Sequence, residues 1–336
     1  MAARRSLVFM SAGVLALTVL AGCGNSADEP AKDEPSPAAA FPAKVSHLHG
    51  VTTIEGAPTR VVTLASTDAD SALLLGVVPV GAAKETVGGT AAGSTPWFDA
   101  ELKEVGGTAP TRLDVSKGVD VDAVKRLDPD LILSTGRVLS DAEYQGLSDV
   151  APVVAGSKDG QTWQRSLAAA GAAMGMSDKA DQVIEATDKV IDEGAADQVG
   201  LEGTSMIFGQ LKPGDFTSIG VFTPRDPKVA LLNDFGLVNP EAVTRLATGD
   251  QTLVTVPGAE AKNLKSEIML LFPSSPKDVT GLESNPNLSK IPAIDSGRAY
   301  AELNKTLHLA ANQPSALSIP RVIEKLLPDV SLIADF

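Results

Sequence analysis

The residues around the lone cysteine, Cys23, predict that it is covalently modified. It follows small residues at 21 and 22 and an apolar run over residues 7–20, and Arg4 and Arg5 precede that run. The run is too short for a comfortable membrane span and is typical of a signal-peptide core. We therefore expect cleavage before Cys23 and a lipid on its sulfur. An acylated Cys23 leaves no thiol for a disulfide, a zinc site or a nucleophile.

His47 and His49 form a His-x-His pair, which a strand would place on one face. Imidazole is a common metal ligand, so the pair raises the alternative of bare zinc or manganese capture. The whole chain has only 3 histidines, which is too few for a His-rich metal site. We expect no resident metal ion, and both histidines to be structural.

Neither the motifs nor the charge of the chain indicates catalysis or nucleic-acid binding. It contains no Gly-x-Ser-x-Gly, Walker loop or zinc-hydrolase helix, so we expect no enzyme. Its 28 Lys and Arg stand against 42 Asp and Glu, which excludes the basic footprint that nucleic acid requires. The acidic folded part of the chain would be repelled by an anionic membrane surface and could dock on a basic partner.

A tether and two blocks of alternating strands and helices are predicted. Residues 24–40 carry Pro, Ala and charges without hydrophobic periodicity, as flexible linkers do. The predicted strands are 60–64, 77–80, 131–133, 205–208, 253–256 and 268–272, and the predicted helices are 68–75, 121–127, 163–194, 229–235 and 316–327. The longest helical stretch, 163–194, contains Gly175 as a candidate break. It divides the chain into two α/β blocks.

Five segments in order carry a resemblance to a known family. They are 58–64 with 74–81, 121–133, 147–154, 291–294 and 297–300. Together they resemble the periplasmic-binding-protein family of iron–siderophore, haem and cobalamin importers. The resemblance covers essentially the whole chain after residue 41. Most of these segments are scaffold, in which Pro129 ends a helix and residues 131–133 form a strand.

The resemblance implies an α/β fold with two Rossmann-like lobes, one long bridging helix and a ligand cleft between the lobes. We expect a lipoprotein signal peptide at 1–22, and a lipidated N-terminus and tether at 23–42. The N-terminal lobe is expected at 43–161, the bridging helix at 162–196 and the C-terminal lobe at 197–336.

The resemblance also implies which residues contact the ligand. Arg137 follows a strand where some siderophore binders place an arginine, and Arg225 lies in the loop 220–225, at the point where the family has a comparable Gly-x-x-x-Arg loop. Their guanidinium groups would suit a chelate rich in negative oxygens. His308 falls where relatives place a ligand-facing tyrosine. For each of the three, the alternative is a residue with no ligand: a solvated arginine, or a capped histidine.

Trp97 and Phe98 lie in a Gly-, Thr- and Ser-rich stretch, which predicts a loop. Aromatic residues are only 4% of the chain, so an exposed pair would be informative. We expect the two rings to pack on the apolar body of a siderophore, and packing into a local core is the alternative.

Two acidic residues are candidates for docking on a transporter. The family uses one acidic residue on each lobe to meet arginines of the permease. Asp122 matches the first position, with an aspartate where the family prefers glutamate. Glu260 is the candidate for the second, and Glu267 is its rival. The alternative for all of them is an ordinary solvated surface.

The sequence therefore predicts a lipid-anchored protein on the outer face of the cytoplasmic membrane of a bacterium. It would capture a ferric siderophore and deliver it to the permease of an ABC importer. The alternative ligands are haem, cobalamin or another metal chelate. A transport-inactive envelope scaffold with the same fold is the remaining alternative.

Overall fold

The computed structural model of the protein describes residues 40–156 and 162–335. The predicted signal peptide, Cys23 and nearly all of the tether lie outside these residues. Within the described ranges, every helix is too short or too polar to span a membrane.

Twelve strands and thirteen α-helices are described in these ranges. The strands are β1 Ala43–His47, β2 Gly50–Ile54, β3 Val61–Thr63, β4 Gly81–Ala83, β5 Thr111–Leu113, β6 Leu131–Ser134, β7 Val153–Ala155, β8 Met206–Lys212, β9 Asp215–Phe222, β10 Leu253–Pro257, β11 Ile268–Leu271 and β12 Ala299–Ala301. The helices are α1 Ser66–Leu74, α2 Pro96–Glu104, α3 Val121–Lys125, α4 Asp141–Ser148, α5 Trp163–Ala173, α6 Ser177–Ala196, α7 Pro227–Asp234, α8 Glu241–Leu246, α9 Pro276–Ser284, α10 Pro292–Asp295, α11 Lys305–Asn312, α12 Ile319–Lys325 and α13 Leu327–Ala334.

The N-terminal sheet is fully parallel, in the order β5-β4-β3-β6-β7. Leu131 and Leu133 of β6 pack with α1, α2 and α5 on one face, and Ile132 packs with α3 and α4 on the other. This alternation follows from the two-residue period of a strand buried on both faces. Because the strands are parallel, the turns after β3 and β6 lie side by side at one edge.

The C-terminal sheet is mixed, in the order β10-β9-β8-β11-β12. β11 is parallel to β8 and β12, whereas β9 is antiparallel to β8 and β10. Met206 and Phe208 of β8 join the cluster that also contains the N-terminal core, and Ile207 faces a separate cluster. The two sheets therefore share one continuous apolar core on one side.

The predicted helix at 163–194 is two helices. Gly175, with φ +69°, lies between α5 and α6, because the chain turns there in a conformation that side chains disfavour. α5 packs against α1 and β1, and α6 runs 20 residues towards β8 and packs against α12. Of the two, α6 is the helix that leads from one sheet to the other.

The His-x-His pair lies in and beside the β1–β2 hairpin, with both rings engaged. His47 Nε2 is 2.8 Å from Thr52 Oγ1, and the His49 ring stacks on Tyr144 with 4.3 Å between centroids. His49 Nδ1 is 3.3 Å from Asp141. These contacts hold the hairpin against α4.

Candidate functional site

Asp68 joins the two strand-end turns at the edge of the N-terminal sheet. Its carboxylate accepts hydrogen bonds from the backbone N–H groups of Ala65 (3.1 Å), Thr135 (3.0 Å) and Gly136 (3.1 Å). The side chain is fully buried, and this burial raises the pKa of Asp68 to about 6. One buried carboxylate thus holds together the two turns that form the N-terminal wall of the site.

A cavity of about 40 Å³ lies between these turns and the C-terminal half of the chain. It is lined by Thr67, Gly136, Thr162, Trp163, Ser166, Pro227, Asn312, Gln313 and Pro314. The lining comes from the turns after β3 and β6, the start of α5, the start of α7 and the end of α11. This volume suits one or two water molecules, whereas ligand pockets commonly measure ~300–1,000 Å³.

A buried hydrogen-bonded group, the Asp70 contact, lies beside the cavity. Asp70 of α1 accepts hydrogen bonds from Trp97 Nε1 (2.8 Å) and from Ser315 Oγ (2.6 Å). Burial raises the pKa of Asp70 to about 7. Because Ser315 follows α11, the Asp70 contact ties the N-terminal half of the chain to the C-terminal half.

Two further hydrogen bonds join the halves near the cavity. Ser66 Oγ donates to Gln313 Oε1, and Thr306 Oγ1 donates to the carbonyl oxygen of Gly88 at 2.8 Å. All of these contacts are made by single polar side chains, each of which contributes modestly in net terms.

Arg137 lies beside the cavity and is already paired. Its Nη1 donates to the carbonyl oxygen of Val115 (3.0 Å), and its Nη2 donates to Glu143 Oε1 (3.3 Å). Its neighbour Gly136 lines the cavity. The charge of Arg137 is therefore largely neutralised within the N-terminal half.

Arg225 approaches the cavity from the opposite side. It precedes Pro227, which lines the cavity, and its Nη1 is 3.2 Å from Asp250. Its side chain is 46% exposed. Each predicted arginine thus lies within two residues of a residue that lines the cavity, one in each half of the chain, and each has a carboxylate partner. Neither arginine is itself one of the lining residues.

The prediction of an exposed loop for Trp97 and Phe98 is wrong. Both lie in the first turn of α2 and are buried in the core. Thr95 starts this helix, because its hydroxyl accepts a hydrogen bond from the Phe98 N–H and Pro96 follows it at the first helical position. The alternative of a local core is what the structure describes.

His308 lies on α11 and is buried. Its ring stacks on Phe272 with 4.3 Å between centroids, and its Nε2 donates to the carbonyl oxygen of Glu302 at 2.6 Å. Burial lowers the pKa of His308, so its ring is neutral near pH 7. Contact with a ligand remains a prediction for this residue.

The candidate docking residues Asp122 and Glu260 are both exposed. Asp122 lies in the first turn of α3, and Glu260 lies in a short 3-10 helix, Gly258–Asn263, beside a surface depression of about 550 Å³. The rival Glu267 accepts hydrogen bonds from the Ser205 N–H (2.7 Å) and hydroxyl (2.9 Å). That structural use favours Glu260 over Glu267.

Sequence reasoning missed the residues that line the cavity most closely. Trp163, Thr67 and Gly136 were not among the candidate ligand contacts. Gly136 is required here, because a Cβ atom at this position would lie 2.0 Å from Thr67 Oγ1. Only the position of Thr67 and Gly136, directly after two neighbouring parallel strands, could have indicated them.

Comparisons with known proteins agree on one family. Residues 61–302 match the periplasmic binding protein family. The probable siderophore-binding lipoprotein YfiY of Bacillus subtilis is 29% identical over 181 residues, 54% of this chain and 52% of YfiY. The match thus spans about half the length of YfiY. The ferric enterobactin-binding periplasmic protein FepB of Escherichia coli is 25% identical over 283 residues, 81% of this chain and 87% of FepB.

Comparison with a solved structure covers nearly the whole length of the related protein. PiaA of Streptococcus pneumoniae, crystallised in complex with ferrichrome, superposes with a TM-score of 0.82 and 27% identity. The match covers 87% of this chain and 99% of PiaA. The predicted fold class, two α/β lobes of the binding-protein type, is confirmed.

Proposed function

This chain belongs to the periplasmic binding protein family, and from that premise we propose that it captures a ferric siderophore outside the cytoplasm and delivers it to an ABC importer. One observation carries the proposal. The two curated relatives are named for siderophore or ferric enterobactin binding, and PiaA, matched over 99% of its length, holds ferrichrome. The family consists of solute-binding proteins, and we propose no catalytic activity for this chain.

The proposed location is the outer face of the cytoplasmic membrane of a bacterium. Cys23 would carry the lipid, and the tether to residue 42 would give the folded body its reach. The name of YfiY as a lipoprotein supports this arrangement. Stable anchoring by lipid generally requires more than one acyl chain, which a diacylated cysteine supplies.

The proposed ligand site is the cavity between the two lobes. A volume of about 40 Å³ excludes a metal chelate, so binding requires the lobes to separate at this point. Among the described residues, the hydrogen bonds that opening beside the cavity would break are Ser66 to Gln313, Asp70 to Ser315, and Thr306 to Gly88. An opening between them would lead the chelate directly to the cavity lining.

Arg137 and Arg225 are proposed to donate hydrogen bonds to the chelate from opposite walls. Each would share its guanidinium group with its present partner, Glu143 or Asp250, rather than act as a free positive charge. Planar guanidinium groups can bind two oxygens at once, which suits this shared role. His308 is proposed to shape the C-terminal wall through its stack on Phe272.

Asp122 and Glu260 are proposed to dock on basic residues of the permease. Their exposure in separate lobes suits this role. Exposed ion pairs contribute about 0–1 kcal/mol each, so they would set orientation and association rate more than affinity.

Calorimetric titration of the mature protein with ferric siderophores, haem and cobalamin tests the proposal. We expect at least one ferric siderophore to bind with micromolar affinity or better. Arg225→Ala should weaken that binding roughly three- to tenfold, because a hydrogen bond to a charged group is lost at a partly exposed site. The matched control is Arg245→Ala, an exposed arginine paired with Glu241, which should leave the affinity unchanged.

Two outcomes would contradict the proposal. If haem or cobalamin binds and no siderophore does, the ligand class is wrong. If none of the chelates binds, capture of metal chelates is wrong as a whole.

A further inference from the structure

The cavity between the lobes is polar but carries no charge. None of the nine described residues that line it has an ionisable side chain. The lining combines hydroxyl, amide and indole groups with proline and glycine. A site of this kind recognises hydrogen-bonding groups and offers no countercharge to an ion.

Two polar atoms of the lining have no partner. Trp163 Nε1 and Thr67 Oγ1 are buried without a hydrogen bond to any described residue. Trp163 is 4% exposed and Thr67 is 7% exposed. A buried donor left unpaired is energetically costly, so such groups are rare unless a water molecule or a ligand uses them.

The charges around the cavity also disfavour a polyanion. Arg137 and Arg225 are paired with Glu143 and Asp250. Glu85 is a further carboxylate near the cavity, close to Ser66 and to the lining residue Gln313. A highly charged anion would meet arginines that already share their charge with carboxylates, although Arg137 Nε has no partner among the described residues, and it would lie close to those carboxylates, which is electrostatically unfavourable.

We propose that the chelate is an uncharged ferric tris-hydroxamate and that Trp163 and Thr67 donate hydrogen bonds to its oxygens. Three hydroxamates cancel the charge of Fe³⁺, whereas three catecholates leave a trianion. The hydroxamate carbonyl and N–O oxygens are acceptors, which Trp163 Nε1–H and the Thr67 hydroxyl lack. This inference rests on the proposed function and specifies its ligand class and two further contact residues.

The test begins with calorimetric titration of the wild-type protein. The probes are ferrichrome as the neutral tris-hydroxamate, ferric enterobactin as the tris-catecholate, and ferric citrate. We expect ferrichrome to bind at least tenfold more tightly than the other two. Tighter binding of ferric enterobactin or ferric citrate would overturn the assignment of ligand class.

Thr67→Val and Trp163→Phe test the two contacts. Each should weaken ferrichrome binding roughly three- to tenfold, the worth of one hydrogen bond. The melting temperature of ligand-free Thr67→Val should stay unchanged or rise, because its hydroxyl has no partner to lose. A structural role for Thr67 would instead lower the melting temperature and leave the affinity intact.

Thr187→Val is the matched control for Thr67→Val. Thr187 is equally buried, at 7% exposure, but its hydroxyl donates to the carbonyl oxygen of Val183 at 2.7 Å on α6. It should lower the melting temperature by about 2–4 °C without changing ferrichrome affinity.

The outcomes separate this inference from the proposed function. If the wild type binds ferrichrome and both cavity variants bind it equally well, water alone fills the cavity, and the inference fails while the function stands. If the wild type binds no ferric chelate, both fail together.

Discussion

The cavity and the Asp70 contact lie side by side between the lobes and differ in whether their buried donor groups are paired. In the Asp70 contact, the Trp97 N–H and the Ser315 hydroxyl both reach the same carboxylate. In the cavity, Trp163 and Thr67 keep polar atoms without partners in the described part of the chain. Thr67 and Asp70 are three residues apart on α1. One helix turn thus separates a carboxylate that accepts two hydrogen bonds at Oδ2 from a hydroxyl that has no partner among the described residues, although Asp70 Oδ1 also lacks one there.

The two regions also differ in charge. The Asp70 contact lies near Asp68, Glu85 and Arg112, and the two carboxylates raise the pKa of Asp70 further. The cavity is lined by uncharged residues. Ionisation should therefore affect the stability of the protein through the Asp70 contact and should affect the cavity little.

The largest expected effect comes from removing the carboxylate that supports both regions. Asp68→Ala removes the acceptor of three backbone N–H groups, the buried ones of Ala65 and Thr135 and the part-buried one of Gly136. We expect it to lower the free energy of unfolding by about 3–4 kcal/mol. Urea unfolding followed by circular dichroism measures this.

Asp122→Ala is the control, because it removes an exposed carboxylate of the same type. It should change the free energy of unfolding by less than about 0.5 kcal/mol. Equal losses for the two variants would show that Asp68 does not support the turns.

The next effect is the pH dependence of stability. The pKa of Asp70 rises from 3.8 to about 7 on folding, because burial disfavours the charged carboxylate. The folded protein therefore binds the proton on Asp70 more tightly than the unfolded chain does. The stabilisation that this proton gives the folded state is fully present below pH 4 and is lost as the pH rises to 7. We expect wild type to lose about 2–3 kcal/mol over that range relative to Asp70→Asn, in unfolding curves at each pH.

Asp68 titrates in the same direction, with a pKa of about 6, and it is present in both proteins. The difference between wild type and Asp70→Asn thus isolates Asp70. If the free energy of unfolding changed with pH in the same way for both proteins, folding would not raise the pKa of Asp70.

The smallest expected effect is the difference in the free energy of unfolding between variants of the two tryptophans. Trp97→Phe and Trp163→Phe remove the same atoms from buried rings, but only Trp97 loses a hydrogen bond, that to Asp70. We expect Trp97→Phe to lower the free energy of unfolding by about 1–2 kcal/mol more than Trp163→Phe does. Chemical denaturation of both variants in parallel gives the difference. Equal losses would remove the distinction between the two regions.

Much of the fold could be predicted from the sequence. Runs such as 61–63 and 131–134 are strands because uniformly apolar segments bounded by turn residues suit a sheet buried on both faces. The helix start at Thr95-Pro96 was missed, although a capping threonine followed by proline is a recognisable signal. The surrounding glycines and serines outweighed it, and Trp97 and Phe98 were assigned to a loop.

The site could be predicted only in part. The position of Arg137 near the cavity follows from strand order, because it comes after β6, whose end lies beside that of the parallel strand β3. Arg225 follows β9, an antiparallel strand of the other sheet, so strand order alone does not place it there. Their pairing with Glu143 and Asp250 depends on the packing of separate elements, which no local pattern encodes. The unpartnered state of Trp163 is likewise a property of the assembled core.

The joint between α5 and α6 has a mechanical consequence. A side chain at Gly175 would collide with the ring of Phe41, at 2.6 Å from its Cε2 atom, so the start of the folded body is packed directly on this joint. With the lipid anchor proposed at Cys23, a pull on the tether would therefore load the contact between Phe41 and the junction of α5 and α6.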